Sequence, residues 1–232
     1  MVSMGEMIGN IAHQWRQPLS IITTAATSMQ LEKEFDSLSD EKFNKNCELI
    51  NRNAQYLSTT IDDFKNFIKG DRNKKISKVA NIINSFLSLV EASSKNNNIN
   101  MIIKIEKDIT ITIYENELIQ CLINLYNNSK DALLENNIKD KYFIINSNIV
   151  NETLIIKIQD NALGIKEDII SKVFDPYFTT KHQSQGTGLG LSMTYKLITE
   201  GMDGTISVRN SKFSYNNKTY TGAEFIISLP VN

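Results

Sequence analysis

Phe43, Cys47, Ile50, Ala54, Leu57, Ile61, Phe64 and Ile68 follow one another at alternating steps of four and three residues. A strand places apolar residues at every second position, so only an α-helix turns this spacing into one continuous stripe. A stripe kept in register for that long demands a second helix alongside it. A partner lies upstream: Ile8, Ile11, Trp15, Ile22 and Met29 continue a similar period, with Leu19 and Ala26 beside the seam. The polar segment Glu34-Phe35-Asp36-Ser37-Leu38-Ser39-Asp40 separates the two runs, and Ser39 before Asp40 and Glu41 suits an N-cap with an acidic first turn. Residues 1–70 are therefore predicted to form a helical hairpin. Two helices bury little by themselves, so the expected arrangement is a four-helix bundle made by two copies.

Gly70-Asp71-Arg72-Asn73-Lys74-Lys75 breaks the helical pattern, and residues 71–76 are read as a linker to a second domain, 77–232. There the periods are mixed. Helices are expected over 79–92, 115–135 and 187–200, and strands over 99–105, 109–114, 143–150, 153–160, 205–209 and 223–229. Asn151-Glu152 is placed as a hairpin turn. The resulting class is an α+β sandwich with helices on one face of the sheet.

Composition narrows the function. With 25 basic and 26 acidic residues and a net charge of −1, no electrostatic footprint for nucleic acid exists. No apolar run reaches the roughly 18 residues of a membrane span, so no membrane contact is expected within this chain. Cys47 and Cys121 lie far apart in apolar patterns and read as small buried hydrophobes. A cytoplasmic location follows, either alone or as part of a longer membrane-attached sensor.

Three motifs of the second domain bear on chemistry. Asp160 ends a strand pattern, where a rigidly held carboxylate can accept the exocyclic amino group of adenine, and Gly164 lets the backbone approach the ring. Gly186-Thr187-Gly188-Leu189-Gly190 precedes a helix, whose free N–H groups and dipole favour phosphate. It lacks the Lys-Ser/Thr of a P-loop. Asn124, Asn128 and Asp131 share one helix face, opposite the apolar Leu118, Cys121, Leu122 and Leu125. An amide oxygen there suits Mg²⁺.

In this order the motifs resemble the sensor histidine kinases of two-component systems, whose catalytic domain is similar to the ATPase domains of gyrase, mismatch-repair proteins and a major chaperone. The resemblance spans the whole chain. It implies that Asn124–Ala132 is the N box with Asn128 as the Mg²⁺ ligand, and that Asp160–Gly164 is the G1 box. Phe174–Phe178 becomes the F box, Gly186–Gly190 the G2 box, and 165–186 a lid over ATP. It places Asn124, Asn128, Asp131, Asp160, Gly164, Ile165, Phe178, Thr180, Lys181, Gly186, Thr187, Gly188, Leu189, Gly190 and Leu191 around the nucleotide. The phosphoacceptor is then His13, in Ile11-Ala12-His13-Gln14-Trp15-Arg16-Gln17-Pro18-Leu19. If Ile8 and Ile11 are seam positions a and d, His13 falls at f, facing outward. His182, in the lid, reads as a solvated or phosphate-proximal side chain.

The implied activity is autophosphorylation of His13 from Mg-ATP, followed by transfer to an aspartate of a response-regulator receiver domain, in a homodimer held by the hairpin. Hydrolytic members of the superfamily carry a glutamate four residues before the Mg²⁺ asparagine, where this chain has Asn124. Gln14 replaces the acid that usually follows the histidine, and Gln17 stands at the position tied to phosphatase activity. Ala162 stands where the first G1 glycine is usual, and Ser129 where alanine is common. Two other readings stay open: a nucleotide-binding dimeric scaffold without kinase activity, and a hydrolytic ATPase of the same superfamily.

Overall fold

The computed structural model describes residues 4–68, 74–106, 109–180 and 188–231, with the side chains of 4–14, 17 and 59–68 outside that set. The chain divides into a helical unit ending at Lys69 and a mixed unit that begins at Gly70.

The helical unit is the expected hairpin. Helix α1 runs Met4–Glu34 and α2 runs Asp40–Ile68. The backbone turns at Asp36, whose φ of 49° places it in the left-handed region, and Ser37 N–H reaches back to the carbonyl of Glu32 at 2.8 Å. Ser39 caps α2 as its sequence position suggests, its Oγ accepting the Lys42 N–H at 3.3 Å. Lys42 also pairs with Glu32 across the turn at 3.2 Å.

Within one hairpin the apolar stripe is only half covered. Pro18 and Ala25 are buried on α1, while Leu19 stays 50% exposed. Among the described side chains of α2 the buried one is Asn53, whose Nδ2 donates to the Leu49 carbonyl at 2.7 Å, while Ala54 is exposed and Phe43 is 47% exposed. One helix can cover one flank of a heptad seam, and the other flank is left to solvent. Ile8, Ile11, Ile61, Phe64 and Ile68 have side chains outside the described set.

The mixed unit holds a five-stranded sheet in the order β2-β4-β5-β7-β6, comprising Ile99–Ile105, Lys141–Val150, Thr153–Asp160, Lys218–Pro230 and Thr205–Tyr215 respectively. Only the β2–β4 pair is parallel. Strand β5 alternates strictly: Leu154, Ile156, Ile158 and Asp160 are buried, and the residues between them are half-exposed. Onto the buried face pack α3 (Val79–Asn96) and α4 (Glu115–Glu135), with Leu118, Cys121, Leu122 and Leu125 all at 0% exposure. Each such side chain contributes about 1.5–3 kcal/mol relative to exposure. Phe86, Tyr126 and Phe143 form an aromatic centre with centroid separations of 5.4–6.3 Å. Cys121 is a free thiol whose pKa is pushed up by burial, so it stays a neutral, small apolar side chain.

Several boundaries differ from the sequence expectation. Lys75–Lys78 forms β1, paired antiparallel with β3 (Thr110–Ile113), so Lys75 and Ile76 are strand rather than linker. Charged ends and an 81% exposed Ile76 gave this strand no apolar signature. Strands β6 and β7 are far longer than 205–209 and 223–229, because polar residues extend the ladder to an Asn216-Asn217 turn with φ of 49° and 58°. The anticipated Asn151-Glu152 turn has the same left-handed pair, 48° and 58°. The last helix, expected from Thr187, begins at Gly190: α5 is Gly190–Lys196, followed by one π-helical turn over Leu197–Gly201.

Candidate functional site

Asp160 closes β5 between β4 and β7, opposite Phe143. Its alternation phase turns the side chain onto the helix-covered face, where it is 3% exposed. Oδ1 accepts the N–H groups of Ala162 at 2.9 Å and Ala223 at 3.2 Å. Oδ2 accepts the hydroxyl of Ser129, on α4, at 3.0 Å. Burial pushes the carboxyl above its ordinary range, and these hydrogen bonds pull it back toward the ionised form. A carboxylate oxygen accommodates more than one donor, so Oδ2 keeps acceptor capacity beyond Ser129. Gly222 of β7 admits the strand here: a Cβ would lie 1.8 Å from the Asp160 carbonyl oxygen.

The loop after Asp160 carries its backbone strain one residue later than the unusual Ala162. Leu163 has φ 70° and Gly164 φ 84°, whereas Ala162 is not left-handed and is 2% exposed. Leu163 is 65% exposed, and its N–H is tied to the Thr221 carbonyl at 3.1 Å. Asn161 and Asn136 brace the loop from behind: Asn161 accepts from Tyr142 N–H at 2.8 Å and donates to the Asp140 carbonyl at 2.7 Å, and Asn136 donates to the Ala162 carbonyl at 3.0 Å. Asn210, on β6, holds Ile165 from the other side. None of these three was singled out as a site residue, because polar side chains that clasp backbone have no periodic signature.

On α4, Asn124 turns to α5 rather than to open water. Its Nδ2 lies 3.3 Å from both the Gly190 carbonyl and Thr194 Oγ1, and its Oδ1 accepts from Gln120 at 3.2 Å. Asn128, one turn on, donates its Nδ2 to the Asn124 carbonyl at 2.9 Å. That commits the donor end of a half-exposed amide and leaves the oxygen as the group it offers outward. Asp131 is half-buried one turn further along, 3.7 Å from Lys130.

Gly188 closes a loop. Tyr177 N–H donates to the Gly188 carbonyl at 2.9 Å, and a Cβ on Gly188, at φ 64°, would meet the Tyr177 carbonyl carbon at 2.4 Å. Leu189 is then 1% exposed, and Gly190 and Leu191, both half-buried, open α5. Phe174 packs against Tyr195 of α5 and Phe225 of β7, at 5.5 and 6.3 Å between centroids. Phe178 is half-buried at the loop's other end.

One compact unit thus brings together Asn124, Asn128, Asp131, Asp160, Gly164, Ile165, Phe178, Gly188, Leu189, Gly190 and Leu191. Thr180 is exposed and is grouped outside that unit. Lys181, His182, Gly186 and Thr187 lie outside the described residues. His13 lies within α1, and its side chain, like those of Gln14 and Gln17, is outside the described set.

The sequence model of the family described as histidine kinase-, DNA gyrase B- and HSP90-like ATPase matches residues 113–232, and that of the His kinase A phospho-acceptor domain matches 3–73. Sensor histidine kinase TmoS of Ectopseudomonas mendocina is 29% identical over 238 residues, which cover 99% of this chain and 23% of that protein. Signal transduction histidine-protein kinase AtoS of Escherichia coli is 25% identical over 235 residues, 100% of this chain and 36% of that one. The chain therefore spans well under half the length of these relatives. The crystal structure of histidine kinase ThkA in complex with response regulator protein TrrA superposes with a TM-score of 0.68 at 23% identity, over 99% of this chain and 62% of that one. At that identity the likeness speaks for the fold.

Proposed function

Since the chain belongs to the two-component sensor histidine kinases, we propose that it is an ATP-dependent protein-histidine kinase core that phosphorylates its own His13 and then passes the phosphoryl group to a response-regulator aspartate. The observation that carries the nucleotide half of this reading is Asp160, a buried carboxylate held by three donors with acceptor capacity left on Oδ2. An adenine amino group can donate there, whereas guanine presents a carbonyl oxygen at the same ring position. Gly164 and Ile165 supply backbone beside the ring.

The phosphates lie toward Gly186, Thr187, Gly188, Leu189, Gly190 and Leu191, with Thr180 and Lys181 as contacts from the lid and Phe178 at its hinge. The Tyr177–Gly188 bond joins the middle of that lid to the residue that opens the helix approach beyond it. Asn128 fits Mg²⁺: its oxygen is a hard neutral ligand, and such an ion takes its remaining ligands from water and phosphate. The ion would neutralise charge that builds on the phosphate oxygens. Asp131 is the nearest acidic group along the same face.

In the transfer, the unprotonated nitrogen of His13 attacks the γ-phosphorus as the bond to the bridging oxygen breaks and ADP leaves. The other ring nitrogen then sheds its proton. Gln14 is neutral and cannot take that proton as an acid in its place would. Asn124 supports transfer over hydrolysis: it carries no base, and its amide is engaged with α5. The half-covered stripe of the hairpin, including Leu19 and Phe43, supports dimerisation through residues 1–70. Residues 71–74 then join it to a catalytic part that opens with the strand starting at Lys75. The complex of ThkA with TrrA supports a receiver domain as partner. No helix among the described residues is long and apolar enough to cross a membrane. We assign the chain to the cytoplasmic part of a sensor.

Radiolabelled ATP tests this reading. Acid-labile label on the protein, lost in His13→Ala, is the expected result. ATP binding without label would instead favour the scaffold reading, which Gln14 motivates. Steady ADP release unchanged by His13→Ala would favour a hydrolytic ATPase.

A further inference from the structure

Asn210 makes contacts that neither the motifs nor the proposed chemistry account for. It sits on β6 opposite Ala223 of β7, so its backbone belongs to the sheet. Its side chain leaves the sheet and clasps the loop after Asp160. Oδ1 accepts the Ile165 N–H at 2.7 Å, while Nδ2 donates to the Ile165 carbonyl at 2.7 Å and to Glu167 Oε1 at 3.0 Å. A carboxamide presents one donor and one acceptor at the spacing of a peptide group. One side chain thereby does for Ile165 what a neighbouring strand would do.

The clasp also explains Gly164 independently of any ligand. A Cβ there would lie 2.4 Å from Asn210 Oδ1 and 2.9 Å from its Cγ. The glycine is required by its φ of 84° and, separately, by the closeness of Asn210. Loop and strand are thus matched to one another, and the backbone that follows Asp160 is fixed to the same sheet that carries Asp160. In contrast to the loop's other ties, at Ala162 and Leu163, this one acts on both polar groups of a single residue.

We propose that Asn210 is a positioning residue for the adenine base: it sets the height of the Gly164-Ile165 backbone relative to the Asp160 carboxylate. The proposal rests on the reading of Asp160 as the adenine contact. In this role Asn210 acts through the backbone of Ile165. Ile165 is half-exposed, so without Asn210 water can satisfy the freed groups and the fold survives, but the loop is no longer held before the ligand arrives. The ordering cost then falls on binding.

The test uses the full chain with ADP and Mg²⁺ in titration calorimetry, and ATP in the labelling assay. Asn210→Ala is expected to weaken ADP binding about tenfold, the equivalent of one or two neutral hydrogen bonds. It should raise the KM for ATP and leave the rate at saturating ATP nearly unchanged. Hydrogen exchange should quicken at the Ile165 amide while the β5 and β7 amides keep their protection, which separates a loosened loop from a damaged domain. Gly164→Ala should cost less affinity in the Asn210→Ala background than in the parent, because one of its two obstacles is gone. ADP affinity within twofold of the parent in Asn210→Ala, with Asp160→Asn still abolishing binding, would overturn the role of Asn210 and leave the nucleotide reading standing. If Asp160→Asn binds ADP as the parent does, both fall together.

Discussion

Replacing Ser129 by alanine removes one hydroxyl from the centre of the domain, and its effect should depend on pH. Ser129 is 2% exposed and Asp160 3% exposed, so the bond between them lies inside the domain. The 3.0 Å bond from Ser129 Oγ to Asp160 Oδ2 joins a neutral donor to a charged acceptor. Such a bond is worth about 1.5–3 kcal/mol, against roughly 0.5–1.5 kcal/mol once the carboxyl is protonated. Asp160 titrates above the ordinary aspartate value of 3.8, chiefly through burial. A carboxyl raised in this way contributes most to stability below 3.8, and that contribution is lost as pH rises through its folded value. Alanine withdraws one of the bonds that restrain the rise, so the folded value climbs further. The destabilisation by Ser129→Ala should therefore grow as pH rises through the folded value of Asp160, which lies above 3.8. Urea unfolding from about pH 4.5 to 8 should show a ΔΔG larger by roughly 1 kcal/mol at the upper end. A pH-independent ΔΔG, or one below about 0.5 kcal/mol throughout, would refute the assignment of Ser129 as a donor to an ionised Asp160.

Other substitutions probe separate joints of the site. Gly222→Ala drives a Cβ to 1.8 Å from the Asp160 carbonyl oxygen, a backbone atom that cannot move without parting β5 from β7. We expect a loss of more than about 3 kcal/mol by thermal or urea unfolding, and a well-folded variant would show that the strands separate more easily than their register implies. Gly188→Ala combines φ 64° with a clash against Tyr177, so the loop cannot close as described. Its measurable result is faster exchange at the Tyr177 amide together with weaker ATP binding, and an unchanged amide would contradict the staple. Asn128→Ala should leave stability within about 0.5–1 kcal/mol, since the lost bond is a partly exposed one within the helix. It should nonetheless abolish the Mg²⁺ dependence of ATP binding in calorimetry, and retained Mg²⁺ dependence would remove Asn128 as the ligand.

The elements legible from the sequence are those whose physics is local and periodic. The step pattern from Phe43 onward announced α2, Ser39 announced its cap, and the apolar run from Thr153 to Gln159 announced the strand that Asp160 ends. The apolar face of α4 was equally open to reading, and every residue named for it is fully buried. The elements missed were polar ones. Residues 210–222 carry few apolar positions, yet the ladder with its Asn216-Asn217 turn extends through them, because an antiparallel hairpin makes backbone bonds whatever its side chains are. β1 escaped for the same reason.

At the site the division runs along the same line. That Asp160 would end a strand, that Gly188 would sit in a turn before a helix and that Asn128 would share a face with Asn124 could all be deduced from spacing alone. Ser129 read as a mild substitution and proved to be a donor to Asp160; Ala162, where glycine is usual, is not left-handed, and Leu163 takes the positive φ. Asn210, forty-five residues from Ile165, gave no hint of its clasp. Periodicity and capping depend on neighbours along the chain, so the sequence by itself determined the helices, the apolar strands and the face that α4 buries. Which polar atom meets which depends on how distant segments pack, and only the tertiary structure decided that Ser129, Ala223 and Asn210 would converge on the strand and loop around Asp160.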